Sequence, residues 1–280
     1  MAQILKGVPV MAEMTERTRA EAAQLNEKGI EPCLMTIRVG VRGDDIAYEN
    51  SIAKRCEKAG VLLRKTVLDE QASQEAILEA VLCANEDKSV HGVLIFRPLP
   101  KGIDDEVVRN ALLPSKDVDG ITDLSLAGVF TGAERFAPCT AQACIEMLDH
   151  YKIDPTGKRV VIIGRSLTVG RPLALMLIKR HATVTVCHTR TKEIDKLCRE
   201  AEIIIAAAGS AQMVDKRYMQ KGQIIIDVGV NVADDGSLCG DVVFADAENI
   251  AGAVSPVPGG VGMITAGVLV SHTVKAAKAQ

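Results

Sequence analysis

Residues 159–187 read RVVIIGRSLTVGRPLALMLIKRHATVTVC, and the fold turns on this stretch. The β-branched run Arg159–Ile163 predicts a strand, residues 164–169 a turn, residues 170–180 a helix and Thr183–Cys187 a second strand. Strand, glycine turn, helix and strand within about thirty residues make the mononucleotide-binding βαβ unit. Two further apolar runs, residues 202–206 and 223–227, extend the same sheet.

The turn reads G-R-S-L-T-V-G from Gly164 to Gly170, which departs from the G-x-G-x-x-G fingerprint. Its physical sense is the same. Gly164 lets the chain turn sharply off its strand, and Gly170 allows close backbone approach where the helix begins. The helix N-terminus then offers free N–H groups and a positive dipole end to a pyrophosphate. An ordinary structural turn of a doubly wound protein would read alike, so the end of the next strand discriminates. NAD enzymes place an acidic residue there for the ribose 2′-hydroxyl. Here residues 187–191 are C-H-T-R-T, without a carboxylate. Thr189 and Arg190, with Arg165 in the turn, suit a 2′-phosphate, which favours NADP.

Working outward, the first half alternates strands at Cys33–Val39, 61–67 and 90–96 with helices at 45–59 and 73–85. A turn-rich stretch, RPLPKGIDD at 97–105, precedes LLPSKDVDGIT at 112–122, which reads as a loop at the sheet's edge. Residues 139–151 read as a helix leading into the βαβ unit, and residues 263–279 as a last helix. The expected class is α/β, with two α/β domains around a cleft, the second Rossmann-like. The first would comprise 1–138 plus 264–280 and the second 139–263.

Bulk composition fits this reading. A chain of 280 residues suits two α/β domains better than one core. Net charge is −3 and aromatics make up 2%, with no Trp, which speaks against a nucleic-acid partner. No apolar run reaches the roughly 18 residues of a membrane span, and the N-terminus lacks signal-peptide character. Eight cysteines without a C-x-x-C pair read as reduced thiols of a cytoplasmic protein. The five histidines form no ligand cluster, so no metal is expected.

Eight short motifs then fall in one order: Tyr48 in a helix, PLP at 98–100, KDVDG at 116–120, PCT at 138–140, GRSLTVGRP at 164–172, DVGVN at 227–231, GDV at 240–242 and PVPGGVG at 256–262. In this order and spacing the chain resembles the methylenetetrahydrofolate dehydrogenase/methenyltetrahydrofolate cyclohydrolase family. The resemblance implies NADP-dependent oxidation of methylenetetrahydrofolate, a homodimer and a last helix that returns to the first domain. It implies that Tyr48 lies against the pterin and that Asp119 hydrogen-bonds the pterin's amino-pyrimidine edge. It further implies that Pro258, Gly259 and Gly260 bring backbone up to the folate. Gly164, Arg165, Ser166, Gly170, Thr189 and Arg190 would hold the cofactor, and Val230 would meet its nicotinamide end.

The chain departs from the family where the second activity resides. Hydrolysis of the methenyl bridge needs proton transfer, which the family draws from a Lys four residues after the Tyr and a Gln before the Leu-Pro segment. Ile52 and Phe96 occupy those positions here. On a helix a residue four along lies roughly 40° from the reference face, and one six along roughly 120° away. Lys54, a catalytic candidate in the lysine's stead, should therefore point elsewhere unless the helix is locally distorted. Apolar changes also occur at Ala141, Ala143, Met263 and Ile264. Hydride transfer needs alignment and water exclusion rather than a lysine, so a dehydrogenase with weak or lost cyclohydrolase is the expectation. Three alternatives stay open at this point: a bifunctional enzyme with Lys54 relocated, an NADP enzyme of the same plan acting on a small acid, and a folate- or NADP-sensing protein without catalysis.

Overall fold

The computed structural model describes residues 1–133, 135–233 and 236–280. In chain order the elements are β1 (Gln3–Ile4), α1 (Gly7–Asn26), β2 (Cys33–Val39), α2 (Gly43–Ala59), β3 (Leu62–Leu68), α3 (Gln74–Glu86), β4 (Gly92–Ile95), α4 (Asp105–Ala111), α5 (Asp123–Thr131) and α6 (Cys139–His150). There follow β5 (Arg159–Ile163), α7 (Gly170–Lys179), β6 (Thr183–Cys187), α8 (Ile194–Glu200), β7 (Ile203–Ala206), β8 (Ile224–Asp227), β9 (Asn231–Val232), β10 (Leu238–Cys239), α9 (Phe244–Ile250), β11 (Ala253–Val254) and α10 (Val261–Ala279). They form two compact units, residues 1–11 with 140–265 and residues 12–139 with 266–280.

The first unit carries a six-stranded sheet in the order β1-β11-β8-β7-β5-β6, parallel throughout. Its central strands are runs of Val and Ile buried on both faces, as a sheet covered by helices on each side requires. A short antiparallel pair, β9 with β10, stands apart from it. The second unit has a parallel sheet in the order β3-β2-β4, and Asp117 continues its edge by bridging Val93. Local signals end its helices. Gly60, left-handed at φ 71°, closes α2, the Ser73 side chain caps α3 and the Thr122 side chain caps α5.

The doubly wound class and the parallel sheets agree with the expectation. The N-terminus differs: β1 pairs with β11, so residues 1–11 belong with the dinucleotide-type unit and not with the other. A two-residue strand carries no readable periodicity. The short elements α4, α5, α8, α9 and the β9–β10 pair escaped the reading for the same reason.

One glycine is required by the sheet itself. Gly164 has φ 129°, and a Cβ there would collide with the carbonyl oxygen of Ala207 on the neighbouring strand's loop. Neither obstacle is the end of a flexible side chain. Gly164→Ala should therefore destabilise the protein by at least about 2 kcal/mol, read as a lowered urea midpoint with an unchanged slope.

Candidate functional site

In the unit of residues 12–139 and 266–280 the KDVDG loop is shaped by two of its own buried side chains. Asp117 is fully buried and accepts hydrogen bonds from Ile121 N at 3.0 Å, Thr122 N at 2.8 Å and Ser125 Oγ at 2.6 Å. Lys116 donates through Nζ to the carbonyls of Ala84 at 2.8 Å and Asp87 at 2.7 Å, finishing the end of α3. Gly120 adopts φ 70° with its α-carbon pressed on the Ala137–Pro138 peptide, where any Cβ would clash. The loop can then take one path, and that path delivers Asp119.

Asp119 is half-buried, near Tyr48 of α2, Cys139 at the start of α6 and Arg97 after β4. Burial, reinforced by Asp117, pushes its carboxyl up to about 7, against the opposing pull of Cys139 and Arg97. Burial and Asp119 likewise hold the Tyr48 hydroxyl well above its ordinary value, so it stays a neutral phenol. Phe96 meets Tyr48 edge-on, ring centroids 6.1 Å apart. Ile52, one turn along α2, is fully buried, and Phe96 is 7% exposed. Lys54 is exposed; the cation that faces Tyr48 is Arg55, seven residues on and on the same helix face. The structure thus brings Tyr48 and Asp119 together and leaves Lys54 in solvent. Arg97 forms a two-pronged ion pair with Asp105, Nε to Oδ1 at 2.6 Å and Nη2 to Oδ2 at 2.8 Å.

In the other unit the cofactor-type residues gather at the C-terminal ends of β5 and β6. The two strands pair in register, with Ile163 opposite Cys187, and Gly164 N donates to Cys187 O at 2.9 Å. Arg165 and Ser166 are exposed in the turn, where Ser166 Oγ accepts from Val169 N at 3.1 Å. The N-cap residue Val169 offers no side-chain cap to α7; Arg171 N donates to Ser166 O at 3.1 Å and Pro172 has no N–H, so the turn itself, rather than a row of free donors, shapes the start of the helix. After β6, His188 and Thr191 build the turn: His188 N donates to Thr191 Oγ1 at 2.9 Å, and Arg190 N donates to His188 Nδ1 at 3.1 Å. Thr189 and Arg190 are displayed outward from it.

Two carboxylates organise the remaining loops of that edge. Asp227 accepts from the backbone N–H groups of Gly229, Asp241 and Val242, each at 3.0 Å. Asp241 accepts from Ala208 N at 2.6 Å, Gly209 N at 3.0 Å, Ser210 N at 2.9 Å and Asn231 Nδ2 at 2.9 Å. Val230 is left 65% exposed at the tip of this arrangement. Gly260 sits so close to the carbonyl of Pro256 that no Cβ fits, whereas Gly259, at φ 106°, has open space on its free side and follows exposed Pro258. Gly260 is thus explained by packing, and Gly259 is the one free to meet a ligand.

Sequence reading missed Asp117, Asp227 and Asp241 as builders of these loops. The acids stood in quoted motifs, but burial alone reveals their work. A cavity of about 630 Å³ lies at the opposite, N-terminal edge of the six-stranded sheet. Its charged groups largely satisfy one another, Lys158 pairing with Glu202 at 3.7 Å and Arg159 Nε donating to Glu200 O at 2.7 Å. It holds none of the predicted residues. Among the described residues no group of acids, histidines and cysteines could hold a metal, and no helix is long and apolar enough to cross a membrane.

Comparison with known proteins matches both halves. Residues 5–119 match the family profile of the tetrahydrofolate dehydrogenase/cyclohydrolase catalytic domain, and residues 138–280 that of its NAD(P)-binding domain. The bifunctional protein FolD of Alkaliphilus oremlandii is 42% identical over 281 residues, covering 100% of this chain and 99% of the relative. Among solved structures, the bifunctional FolD methylenetetrahydrofolate dehydrogenase/cyclohydrolase of Campylobacter jejuni is 38% identical with a TM-score of 0.97, covering 100% and 99%. The Trypanosoma brucei FolD, complexed with NADP cofactor and inhibitor, is 32% identical with a TM-score of 0.94, covering 99% and 98%.

Asp227 makes a measurable claim on pH. Burial, the largest cause, raises its carboxyl to about 6, above the range of an unfolded aspartate. A group whose folded value is raised contributes stability at low pH and loses it as pH climbs through the folded value. Between pH 7 and pH 5 the wild type should therefore gain about 1 kcal/mol relative to Asp227→Asn, measured by urea unfolding of both proteins at each pH.

Proposed function

This chain belongs to the tetrahydrofolate dehydrogenase/cyclohydrolase family, and on that premise we propose that it oxidises 5,10-methylenetetrahydrofolate to 5,10-methenyltetrahydrofolate with NADP, its cyclohydrolase activity being weak or lost. The observation that carries this reading is the wall beside Asp119. Tyr48 and Asp119 stand together, while buried Ile52 and Phe96 fill the positions of the proton-transferring pair.

The residues fit an NADP molecule. Two guanidinium groups and a hydroxyl, Arg165, Arg190 and Thr189, are displayed at the ends of adjacent strands, and residues 187–192 contain no carboxylate. When bound, NADP supplies the hydride acceptor. Arg165 and Arg190 neutralise the 2′-phosphate, where planar guanidinium groups match phosphate oxygens. Gly164, Ser166 and Gly170 shape the backbone cradle, and Val230 offers an apolar surface to the nicotinamide end. Asp119 accepts from the amino-pyrimidine edge of the pterin, Tyr48 lies against its ring, and Gly259, with Pro258 and Gly260 forming its turn, lets backbone approach the folate. The folate domain would be built from 12–138 and 264–280 and the cofactor domain from 1–11 and 139–263. We place the enzyme in the cytoplasm as a homodimer. Seven of its eight cysteines are buried free thiols, in keeping with a reducing compartment.

The dehydrogenase needs no general base of its own beyond this, because the chemical step is hydride departure from the bridging carbon. Hydrolysis does need one, and general acid–base help is worth roughly 10²–10⁴-fold. Ile52 and Phe96 remove two polar side chains and dry the surface next to Tyr48. Arg55 does not replace the lysine, since a guanidinium stays protonated and cannot serve as a base. Lys54, in solvent, does not replace it either.

Two measurements test this. Absorbance of the reduced cofactor, followed with methylenetetrahydrofolate and each cofactor in turn, should show preference for NADP. Arg190→Ala should raise the KM for NADP about tenfold and leave that for NAD nearly unchanged; equal losses would remove Arg190 from the 2′-phosphate. Decay of methenyltetrahydrofolate, compared with and without enzyme in a weakly catalytic buffer, should proceed at close to the uncatalysed rate. Rapid decay that vanishes in Lys54→Ala would instead make the protein bifunctional through that lysine.

A further inference from the structure

The turn after β6 displays Thr189 and Arg190, and three hydrogen bonds give it its shape. Thr191 N donates to His188 O at 2.8 Å, which closes residues 188–191 as a β-turn. His188 N donates to Thr191 Oγ1 at 2.9 Å, and Arg190 N donates to His188 Nδ1 at 3.1 Å. Both displayed residues are exposed, and among the described residues the Arg190 guanidinium and the Thr189 hydroxyl have no partner. What aims Arg190 is therefore its backbone, and His188 holds that backbone.

The part His188 plays is one that Asp and Asn usually play. At the first position of such a turn their side-chain oxygen accepts from the backbone N–H two residues on. Imidazole Nδ1 stands the same number of bonds from the α-carbon as that oxygen. The difference is charge. A ring nitrogen that accepts carries no hydrogen, so the imidazole of His188 is neutral with its hydrogen on Nε2. An aspartate would close the same turn with a full negative charge. The first carboxylate after the turn, Glu193, is paired with Lys196 in the first turn of α8. We propose that His188 is a positioning residue that decides cofactor specificity: its neutral Nδ1 closes the turn that carries Thr189 and Arg190 without bringing a carboxylate to the 2′-phosphate.

The inference rests on the reading of Arg190 as a ligand of the 2′-phosphate. It adds the reason that residues 187–192 form a tight turn and still hold no acid. A carboxylate at this place does two opposite things. It repels a phosphate, and it accepts the ribose 2′-hydroxyl of a cofactor that lacks one. One side chain thus bears on both sides of the choice between NADP and NAD, and a charged acceptor in place of the neutral one would reverse it.

The test is calorimetric titration of the folate-free protein with NADP and with NAD, which differ only by the 2′-phosphate and do not turn over without substrate. His188→Asp keeps the acceptor and adds the charge, so it should lower the ratio of NADP to NAD affinity by roughly tenfold or more. His188→Asn keeps an acceptor without the charge and should hold the wild-type ratio. His188→Ala removes the acceptor and should lower the ratio by weakening NADP alone. A wild-type ratio in His188→Asp, or a loss in His188→Asn as large as that in His188→Ala, would overturn the proposal. Since the Asp and Asn substitutions differ by one charge, their comparison serves if the alanine variant does not fold. Arg190→Ala in the same titration keeps the functional reading separate. An unchanged ratio there removes Arg190 from the 2′-phosphate, whereas a fall there beside an unchanged His188 series removes only His188.

Discussion

In each unit, loops at the candidate site are wound around buried carboxylates that collect backbone N–H groups. Parallel strands leave their ladder at the C-terminal edge, and the loop that follows has donors with no partner. Asp117 takes those of Ile121 and Thr122, Asp227 those of Gly229, Asp241 and Val242, and Asp241 those of Ala208, Gly209 and Ser210. A buried acid with two or more backbone donors is far more directional than apolar packing, and an unmet donor at such depth costs about 1–3 kcal/mol. Each loop is therefore held to one shape. The residue near each acid, half-buried Asp119 beside Asp117 and exposed Val230 beside Asp227, inherits its position from that shape.

The same economy explains why the two adjacent acids of KDVDG behave so differently. Asp117 is saturated with donors and holds structure. Asp119, two residues on, is half-buried without a comparable set of donors, and its partial burial raises its carboxyl to about 7. Gly120, at φ 70° and locked against the Ala137–Pro138 peptide, fixes the turn that follows Asp119.

The replaced pair, Ile52 and Phe96, changes this surface without disturbing the frame. Ile52 belongs to the buried stripe of α2, and Phe96 meets Tyr48 edge-on. Both fill space that polar side chains would have kept hydrated. The glycine turn after β5 and the turn after β6 draw on other elements and are built by backbone hydrogen bonds and by Ser166, His188 and Thr191.

Much of this was present in the order of residues. The run from Arg159 to Cys187 announced strand, glycine turn, helix and strand, because a covered parallel strand is continuously apolar and the turn needs glycine. Thr189 and Arg190 stood out as a strand end without a carboxylate, Tyr48 and Asp119 came from the resemblance to the family, and the rotation of a helix was enough to turn Lys54 away from Ile52. The sequence did not disclose that residues 1–11 add a strand to the other unit, since two residues carry no period. Nor could it disclose that Cys139 and His272, 133 positions apart, meet behind Val118. Local pattern is a property of neighbours along the chain. Which buried acid gathers which loop, and which side chains meet behind which carbonyl, depends on contacts that exist only once distant segments have packed.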